Sequence, residues 1–171
     1  MAKKQDAAKR RKLVQSLVSA SIVDKNGKEA SPLGKLRLAF AAMEERGIVA
    51  EGRWWCCGTC GNYAMGDLWK QSAEDESPLG YCFFHEQDWD SYLADGTVYL
   101  AYQSFTGPSQ CVGRIITDCL DSVGLEWEWN GSAKTRILVK LCDGEPMDRT
   151  WRRSKRLVKS IVSPKTKKKG T

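Results

Sequence analysis

Residues 125–140 have the sequence Leu-Glu-Trp-Glu-Trp-Asn-Gly-Ser-Ala-Lys-Thr-Arg-Ile-Leu-Val-Lys, which carries the clearest strand signal of the chain. In the first five residues a period of two places leucine and both tryptophans on one face and both glutamates on the other. The Asn-Gly step that follows is typical of a tight turn, and it predicts a hairpin into residues 136–140. The two glutamates can face Arg136 and Lys140 across this hairpin, and we expect both tryptophans in the core.

Helical periodicity is strongest upstream of this hairpin. Ser31-Pro32 combines a capping serine with a proline in the first turn, and the apolar residues that follow recur at spacings of three and four until Gly47. A second amphipathic helix is predicted to end at Gly124. Shorter helices are predicted over residues 62–71 and 86–94.

The remaining strands are predicted from short apolar runs. Residues 81–85 and 97–102 have the length and composition of strands, and residues 53–56 are expected to be extended. These segments do not show the regular βαβ order of a parallel sheet. The sequence therefore predicts an α+β fold, with a small and mostly antiparallel sheet on which the helices pack.

Charge divides the chain into three segments. The 171 residues include 27 Lys plus Arg, 21 Asp plus Glu and one His, for a net charge of +6. Residues 1–29 hold eight basic and three acidic side chains, residues 30–148 nine basic and eighteen acidic, and residues 149–171 ten basic and none acidic. We predict an acidic α+β domain between two basic helical extensions. The first contains a helix over residues 6–22, and the second a helix over residues 149–162 followed by a lysine-rich tail.

Several classes of protein are excluded by simple patterns. The apolar runs are far shorter than the roughly 20 residues that a membrane helix needs, and the lysine-rich start does not lead into an unbroken signal-peptide core. A phosphate-binding loop of the Gly-x-x-x-x-Gly-Lys-Ser/Thr type and a Gly-x-Ser-x-Gly motif are both missing from the sequence. We expect a cytoplasmic, non-catalytic protein.

The basic ends predict contact with a polyanion, because the central segment is acidic and leaves phosphate contact to the ends. The partner is a nucleic acid or an acidic protein, and solvated tails that only aid solubility are the alternative. A protein-protein adaptor or a homo-oligomer that uses the apolar stripes of the terminal helices is a second hypothesis, and a small metalloenzyme a third. The residues expected to contact phosphate are Arg10, Arg11, Lys12, Arg152, Arg153, Arg156, Lys167, Lys168 and Lys169.

Seven cysteines, an odd number in a chain without an export signal, indicate a reducing compartment and thiols that are free or bound to metal. Cys57-Gly58-Thr59-Cys60 has the spacing that lets two sulfurs bind one zinc ion. The remaining ligands must come from Cys56, Cys82 or His85. Cys82 and His85 lie on opposite faces of a regular strand, so both can bind one ion only if the strand ends or bulges between them.

From about Leu36 to Arg153 the sequence resembles a bacterial family described as a domain of unknown function, DUF6891. The resemblance implies a compact α+β domain and no particular activity, and it leaves the basic ends outside the match. Two departures are Asn130, where the family has an aspartate, and a lengthened stretch between Leu141 and Trp151. The segments that carry the resemblance are residues 39–50, 56–61, 80–88, 98–102, 112–114, 124–131 and 151–153.

This resemblance implies a ligand set, because the family motif contains the paired cysteines, the third cysteine and the histidine, whereas the position of Cys82 is typically aliphatic. We therefore predict a structural zinc site formed by Cys57, Cys60 and His85, with Cys56 as fourth ligand and Cys82 in reserve.

Other interpretations of these residues remain open. Cysteines outside the site are expected to be small core residues, in particular Cys111, Cys119 and Cys142. A redox dithiol at Cys57 and Cys60 is disfavoured. Such a motif ordinarily begins a helix after a strand in a βαβ unit, and the sequence shows no βαβ order. His85 as a general base beside a thiol, or in a catalytic metal site with Glu86 or Asp88, is the least favoured interpretation. Of Trp54 and Trp55, one must face away from the core and can contact a partner.

Overall fold

The computed structural model describes residues 22–23, 27–72, 77–141 and 151. Over these residues the chain forms four helices and five strands, so the predicted α+β fold is confirmed. The helices are α1 (Pro32–Glu45), α2 (Gly58–Gln71), α3 (Glu86–Asp95) and α4 (Ser109–Ser122). The strands are β1 (Ile48–Gly52), β2 (Gly80–Phe84), β3 (Thr97–Ser104), β4 (Glu126–Glu128) and β5 (Ile137–Lys140).

The strands form one sheet in the order β1-β2-β3-β5-β4. β1 and β2 are parallel, and the other three neighbouring pairs are antiparallel, as predicted. The register places Ala50 opposite Cys82 on β2, and Cys82 opposite Tyr102 on β3. β2 is thus a central strand, and its carboxyl end leads directly to His85.

One βαβ unit is present, contrary to the expectation from sequence. Parallel neighbours need a crossover connection, and α2 provides it between β1 and β2. The prediction placed an extended stretch at residues 53–56, but the strand lies earlier, at Ile48–Gly52. Arg53 and Trp55 instead have φ angles of 53° and 62°, in the left-handed region. The short strand was missed because it follows α1 after only two residues.

The two faces of the sheet have separate hydrophobic clusters. Along β2 the side chains alternate, so that Cys82 and Phe84 join one cluster while Tyr81 and Phe83 join the other. Buried residues of α1, α3 and α4 belong to the first and larger cluster. Met65 of α2 belongs to the second and smaller one. The helix α2 and the larger core therefore lie on different faces of the sheet.

The predicted start of α1 and the predicted end of α4 are confirmed. The Ser31 hydroxyl accepts a hydrogen bond from the backbone N–H of Gly34 at 3.1 Å, and Pro32 occupies the first turn. α4 ends at Ser122, and Gly124 follows with a φ of 68°. Both helices place their apolar residues in the larger core, which fixes them on the same face of the sheet.

β4 and β5 form the predicted hairpin, but residues 129–136 connect them in place of the tight turn predicted at Asn130-Gly131. Lys140 pairs with Glu128 at 2.6 Å, as expected. Arg136 does not pair with a glutamate of β4; its Nη1 donates to Asp88 on α3 at 2.9 Å. Trp127 and Trp129, predicted to be core residues, are only partly buried and pack against the edge of the larger cluster. Arg136 thus pairs with the Asp88 carboxylate of α3 and not with a glutamate of the neighbouring strand.

The terminal extensions lie almost entirely outside the described residues. The predicted helix over residues 6–22 is described only at Ile22, and the predicted helix over residues 149–162 only at Trp151, which lies in no helix. Trp151 packs edge-on against Phe40 and Phe84, with ring centroids 5.5 and 5.1 Å apart. In the part of the chain that the structure covers, no helix has the length and apolar character needed to cross a bilayer. The division at residues 29 and 149 stays a prediction.

Candidate metal centre and adjoining cavity

The segment that precedes the cysteines is held in an unusual conformation. Arg53 and Trp55 are left-handed, which costs a residue other than glycine roughly 1–2 kcal/mol. Two hydrogen bonds hold the segment against the end of β2. The N–H of Trp54 donates to the carbonyl of Phe84 at 2.8 Å, and the N–H of Glu86 donates to the carbonyl of Trp55 at 3.0 Å. These bonds bring the cysteines beside the residues that flank His85.

The two tryptophans of this segment separate as predicted. Trp54 is buried, and its indole N–H donates to the carbonyl of Gly61 at 3.3 Å. Trp55 is 47% exposed and meets the Trp54 ring edge-on. Arg53 forms an ion pair with Glu86 at 2.9 Å. Hydrogen bonds and an ion pair therefore hold the segment that leads to the cysteines, residues 53–55, in its left-handed conformation.

The Cys-x-x-Cys motif forms the first turn of α2. Cys57 is the residue before the helix and has extended backbone angles, and the helix begins at Gly58. The sequence analysis predicted that this helix begins at Asn62, which is one helical turn too late. Gly61 allows the helix to approach β2 closely, because a Cβ at this position would lie 2.5 Å from the ring of Phe83. The motif is thus fixed to the sheet through Gly61.

Cys56, Cys57 and Cys60 form a compact group of thiols. Their sulfur atoms all lie within 4.8 Å of one another. Cys56 and Cys60 are exposed and Cys57 is half-buried. Sulfurs bound to one tetrahedral zinc at about 2.3 Å lie about 3.8 Å apart, so small side-chain rotations bring the group to metal-binding geometry. These three residues can therefore hold a metal ion.

The thiols of this group differ in their acidity. The backbone amide of Cys60 and then its thiol lower the pKa of Cys57 below the ordinary value. The same contact with Cys57, and then the contact with Cys56, raises the pKa of Cys60 to about 11. Cys57 therefore ionises before Cys60, and a cation that binds here displaces protons from the group.

His85 lies beside this group but is held by other partners. It caps α3: its Nδ1 accepts from the N–H of Asp88 at 3.3 Å, and its Nε2 lies 3.2 Å from Asp88 Oδ2. Burial first, and then Arg136, lower the pKa of His85, against the opposing effect of Asp88. A Cβ added to Gly58 would lie 3.7 Å from Nε2, so the ring faces the start of α2. Of the described residues, the compact metal-binding group includes only the three cysteines and not the histidine.

The other cysteines lie apart from this group. Cys82 is fully buried in the larger core, on the sheet face opposite α2, and burial raises its pKa. Cys119 is a core residue as predicted, whereas Cys111 is exposed because it lies on the outer side of α4, so that prediction is wrong. Cys142 lies outside the described residues, as do all nine residues proposed to contact phosphate.

A polar cavity of about 480 Å³ adjoins the start of α2. The hydroxyl of Tyr81 lies 2.8 Å from the side-chain oxygens of Asn62 and Gln103 in its wall. The sequence did not predict this cavity, because its residues come from α2, β2, β3 and the loop before β5. One local signal was available: the His85-x-x-Asp88 spacing is that of a capping box. The described lining residues are Gly58, Asn62, Tyr81, His85, Gln87, Ala101, Tyr102, Gln103, Ser109, Ala133, Lys134, Thr135 and Arg136.

The fold and the site define an α+β protein with a parallel β1–α2–β2 unit and three clustered thiols at the start of its crossover helix. The family model described as a domain of unknown function (DUF6891) matches residues 2–147, and the chain belongs to this family. The match extends further toward the amino terminus than the expected start at Leu36, so the basic segment 1–29 lies almost wholly inside it. Neither a curated protein nor a solved structure matches the chain.

Proposed function

We propose that the protein binds one zinc ion through the thiolates of Cys56, Cys57 and Cys60. The observation that carries the proposal is the convergence of the three sulfurs within 4.8 Å at a surface that solvent reaches. Thiolate ligands select zinc over magnesium and calcium, which prefer oxygen. An odd number of cysteines is compatible with a reducing compartment, and we retain the cytoplasm as the proposed location.

The proposed role of the ion is structural. Bound zinc would link residue 56 of the strained segment to Cys60 in the first turn of α2, and so hold the left-handed residues in place. Three thiolates leave one tetrahedral position. His85, whose ring faces Gly58, is the proposed fourth ligand, and to reach the ion it must give up its contacts with Asp88. Water in that position would instead give the open site of a metalloenzyme.

The test is metal analysis of the full chain purified under reducing conditions. We expect one equivalent of zinc in the wild type, and loss of zinc in Cys57→Ser and in Cys60→Ser. Cys111→Ser is the matched control, because Cys111 is an exposed thiol on α4 outside the group, and it should retain the metal. A wild type without zinc, or a Cys57→Ser, Cys60→Ser double variant that keeps it, would contradict the proposal. His85→Ala should lose zinc only if the imidazole is the fourth ligand.

A second candidate function is thiol-disulfide exchange by Cys57 and Cys60. It is favoured by the β1–α2–β2 unit, which places the Cys-x-x-Cys motif at the start of a helix after a strand. In this reaction a partner disulfide is reduced to two thiols while Cys57 and Cys60 form one disulfide, so the electrons balance. Peptide mapping after equilibration with oxidised and reduced glutathione should find this pair, and not Cys111, in a disulfide. If bound zinc prevents this oxidation, the result would favour the structural zinc site over disulfide exchange.

Polyanion binding through the basic ends remains a proposal based on charge. The ends carry eighteen basic side chains against three acidic ones, whereas residues 30–148 are acidic. If the ends bind nucleic acid, affinity should fall steeply with salt and depend little on base sequence. Removal of both ends should abolish binding. Affinity that is unchanged by salt would refute the proposal, and a change in oligomeric mass on removal of residues 1–29 would favour the adaptor instead.

A further inference from the structure

We propose that the polar cavity beside α2 binds a small molecule with an oxyanion group, a carboxylate or a phosphate, which pairs with Arg136. The volume of about 480 Å³ lies within the range of small-molecule sites. Of the described residues that line it, Lys134 and Arg136 are cationic and none is acidic. This local excess of positive charge occurs in a segment, residues 30–148, that holds twice as many acidic as basic side chains.

Arg136 is held in position before any ligand arrives. Its Nη1 donates to Asp88 Oδ1 at 2.9 Å and lies 3.4 Å from His85 Nε2, and its guanidinium carbon lies 4.9 Å from the ring centre of Tyr99. Its Nε and Nη2 have no hydrogen-bond acceptor among the described residues. A planar guanidinium offers paired donors that match the two oxygens of a carboxylate or phosphate, and a fixed one loses little entropy on binding.

Asp88 acts here as a positioning residue. It is 3% exposed and does not line the cavity, so a bound anion would not face its charge directly. Both of its oxygens are used, Oδ1 by Arg136 and Oδ2 by the backbone N–H of His85 at 3.1 Å. The Asp88 carboxylate therefore fixes Arg136 at the cavity wall and leaves Nε and Nη2 of the guanidinium available to a ligand.

The rest of the cavity wall suits the polar remainder of such a ligand. The hydroxyl of Tyr81 is fixed between Asn62 and Gln103, and the ring of Tyr81 is buried. Thr135 and Gln87 add side-chain donors and acceptors at the rim. Hydrogen-bonding groups on several sides and cations on one side are the pattern expected for a small organic acid or phosphate ester.

The experiment uses the one histidine of the chain. Because His85 lines the cavity, its ring resonances in nuclear magnetic resonance spectra report on binding there and not at the basic ends. The probes are inorganic phosphate and succinate, each compared with sodium chloride at equal ionic strength. We expect a saturable shift with at least one probe. Arg136→Gln should weaken that response at least about tenfold, and Lys134→Gln about threefold.

Arg114→Gln is the matched control, because Arg114 is exposed on α4 and does not line the cavity; it should leave the response unchanged. A response to phosphate alone, or to succinate alone, would support the site and identify the acid group. No response to either probe, or an equal response in Arg136→Gln, would overturn the proposal. If Arg136→Gln does not fold, an unchanged response in Lys134→Gln would overturn it. Cys57→Ser, which should lose the zinc, should still give a saturable shift with the same probe, and loss of the shift in that variant would assign the anion to the metal centre instead.

Discussion

The two faces of the sheet differ in what covers them. Among the described residues, one face is covered by α1, α3 and α4 over a large apolar cluster, whereas α2 is the only helix over the small cluster of the other face. The clustered thiols, the left-handed segment and the polar cavity all belong to the second face or its edge. Strained backbone and exposed polar groups are tolerated where the fold depends on them least. The comparison indicates that the first face provides most of the apolar core and that the second carries the candidate site.

The largest expected effect contrasts the two faces directly. Leu36 of α1 is fully buried in the larger cluster, whereas Leu68 of α2 is only partly buried against the smaller one. Leu36→Ala should lower the free energy of unfolding by about 2–5 kcal/mol. Leu68→Ala should lower it by only about 1 kcal/mol, since less apolar surface is lost. Urea unfolding measures both, and equal losses would show that the faces contribute equally.

A second pair of variants sharpens the contrast within α2. A Cβ at position 61 would lie 2.5 Å from the ring of Phe83, so Gly61→Ala should destabilise the fold by about 1–3 kcal/mol. At position 66 of the same helix a Cβ meets nothing within 4 Å. Gly66→Ala should therefore stabilise the protein by about 0.5–1 kcal/mol through helix propensity. Thermal unfolding that moves in the same direction for both variants would contradict the close contact between α2 and the sheet.

A smaller effect is expected from pH, at the edge between the two faces. The folded-state pKa of His85 is lowered, chiefly by burial, so the unfolded chain binds a proton more readily. The stabilising contribution is present above the unfolded pKa of about 6.5 and is lost as the pH falls through the folded value. The wild type should therefore lose stability in mildly acidic solution relative to His85→Gln. Parallel pH profiles of the two unfolding midpoints would show that His85 does not contribute in this way.

Much of the fold could be predicted because it depends on local patterns. The serine-proline start of α1 and the glycine after α4 act within a few residues, and both predicted boundaries are present. The hairpin of β4 and β5 is present too, but residues 129–136 connect its strands where a tight turn at the Asn-Gly step was predicted. β1 was missed because five residues directly after a helix carry too short a pattern to distinguish a strand from a loop. That omission also hid the parallel β1–α2–β2 unit, and with it the first-turn position of the Cys-x-x-Cys motif.

The candidate site was predicted only where its members are close in sequence. Cys57 and Cys60 were paired from their spacing, and Cys56 was added from the family resemblance; the three thiols converge as expected. The surroundings of His85 were not predicted, because Asp88 reaches its ring from α3 and Arg136 reaches it from the residue before β5. Arg136 was expected to pair with a glutamate of the hairpin, and no local rule reveals that a nearly buried carboxylate attracts it instead.

The amino-acid sequence by itself determined the α+β class, the faces of the helices, the hairpin and the pairing of Cys57 with Cys60. Periodicity, capping and short spacings carry these features, because they arise from interactions between residues close along the chain. Only the tertiary structure decided that Cys82 lies across the sheet from the other thiols, that Arg136 joins Asp88, and that a polar cavity adjoins α2. Those features depend on strand order and register, which bring together groups from distant parts of the chain and which no local pattern specifies.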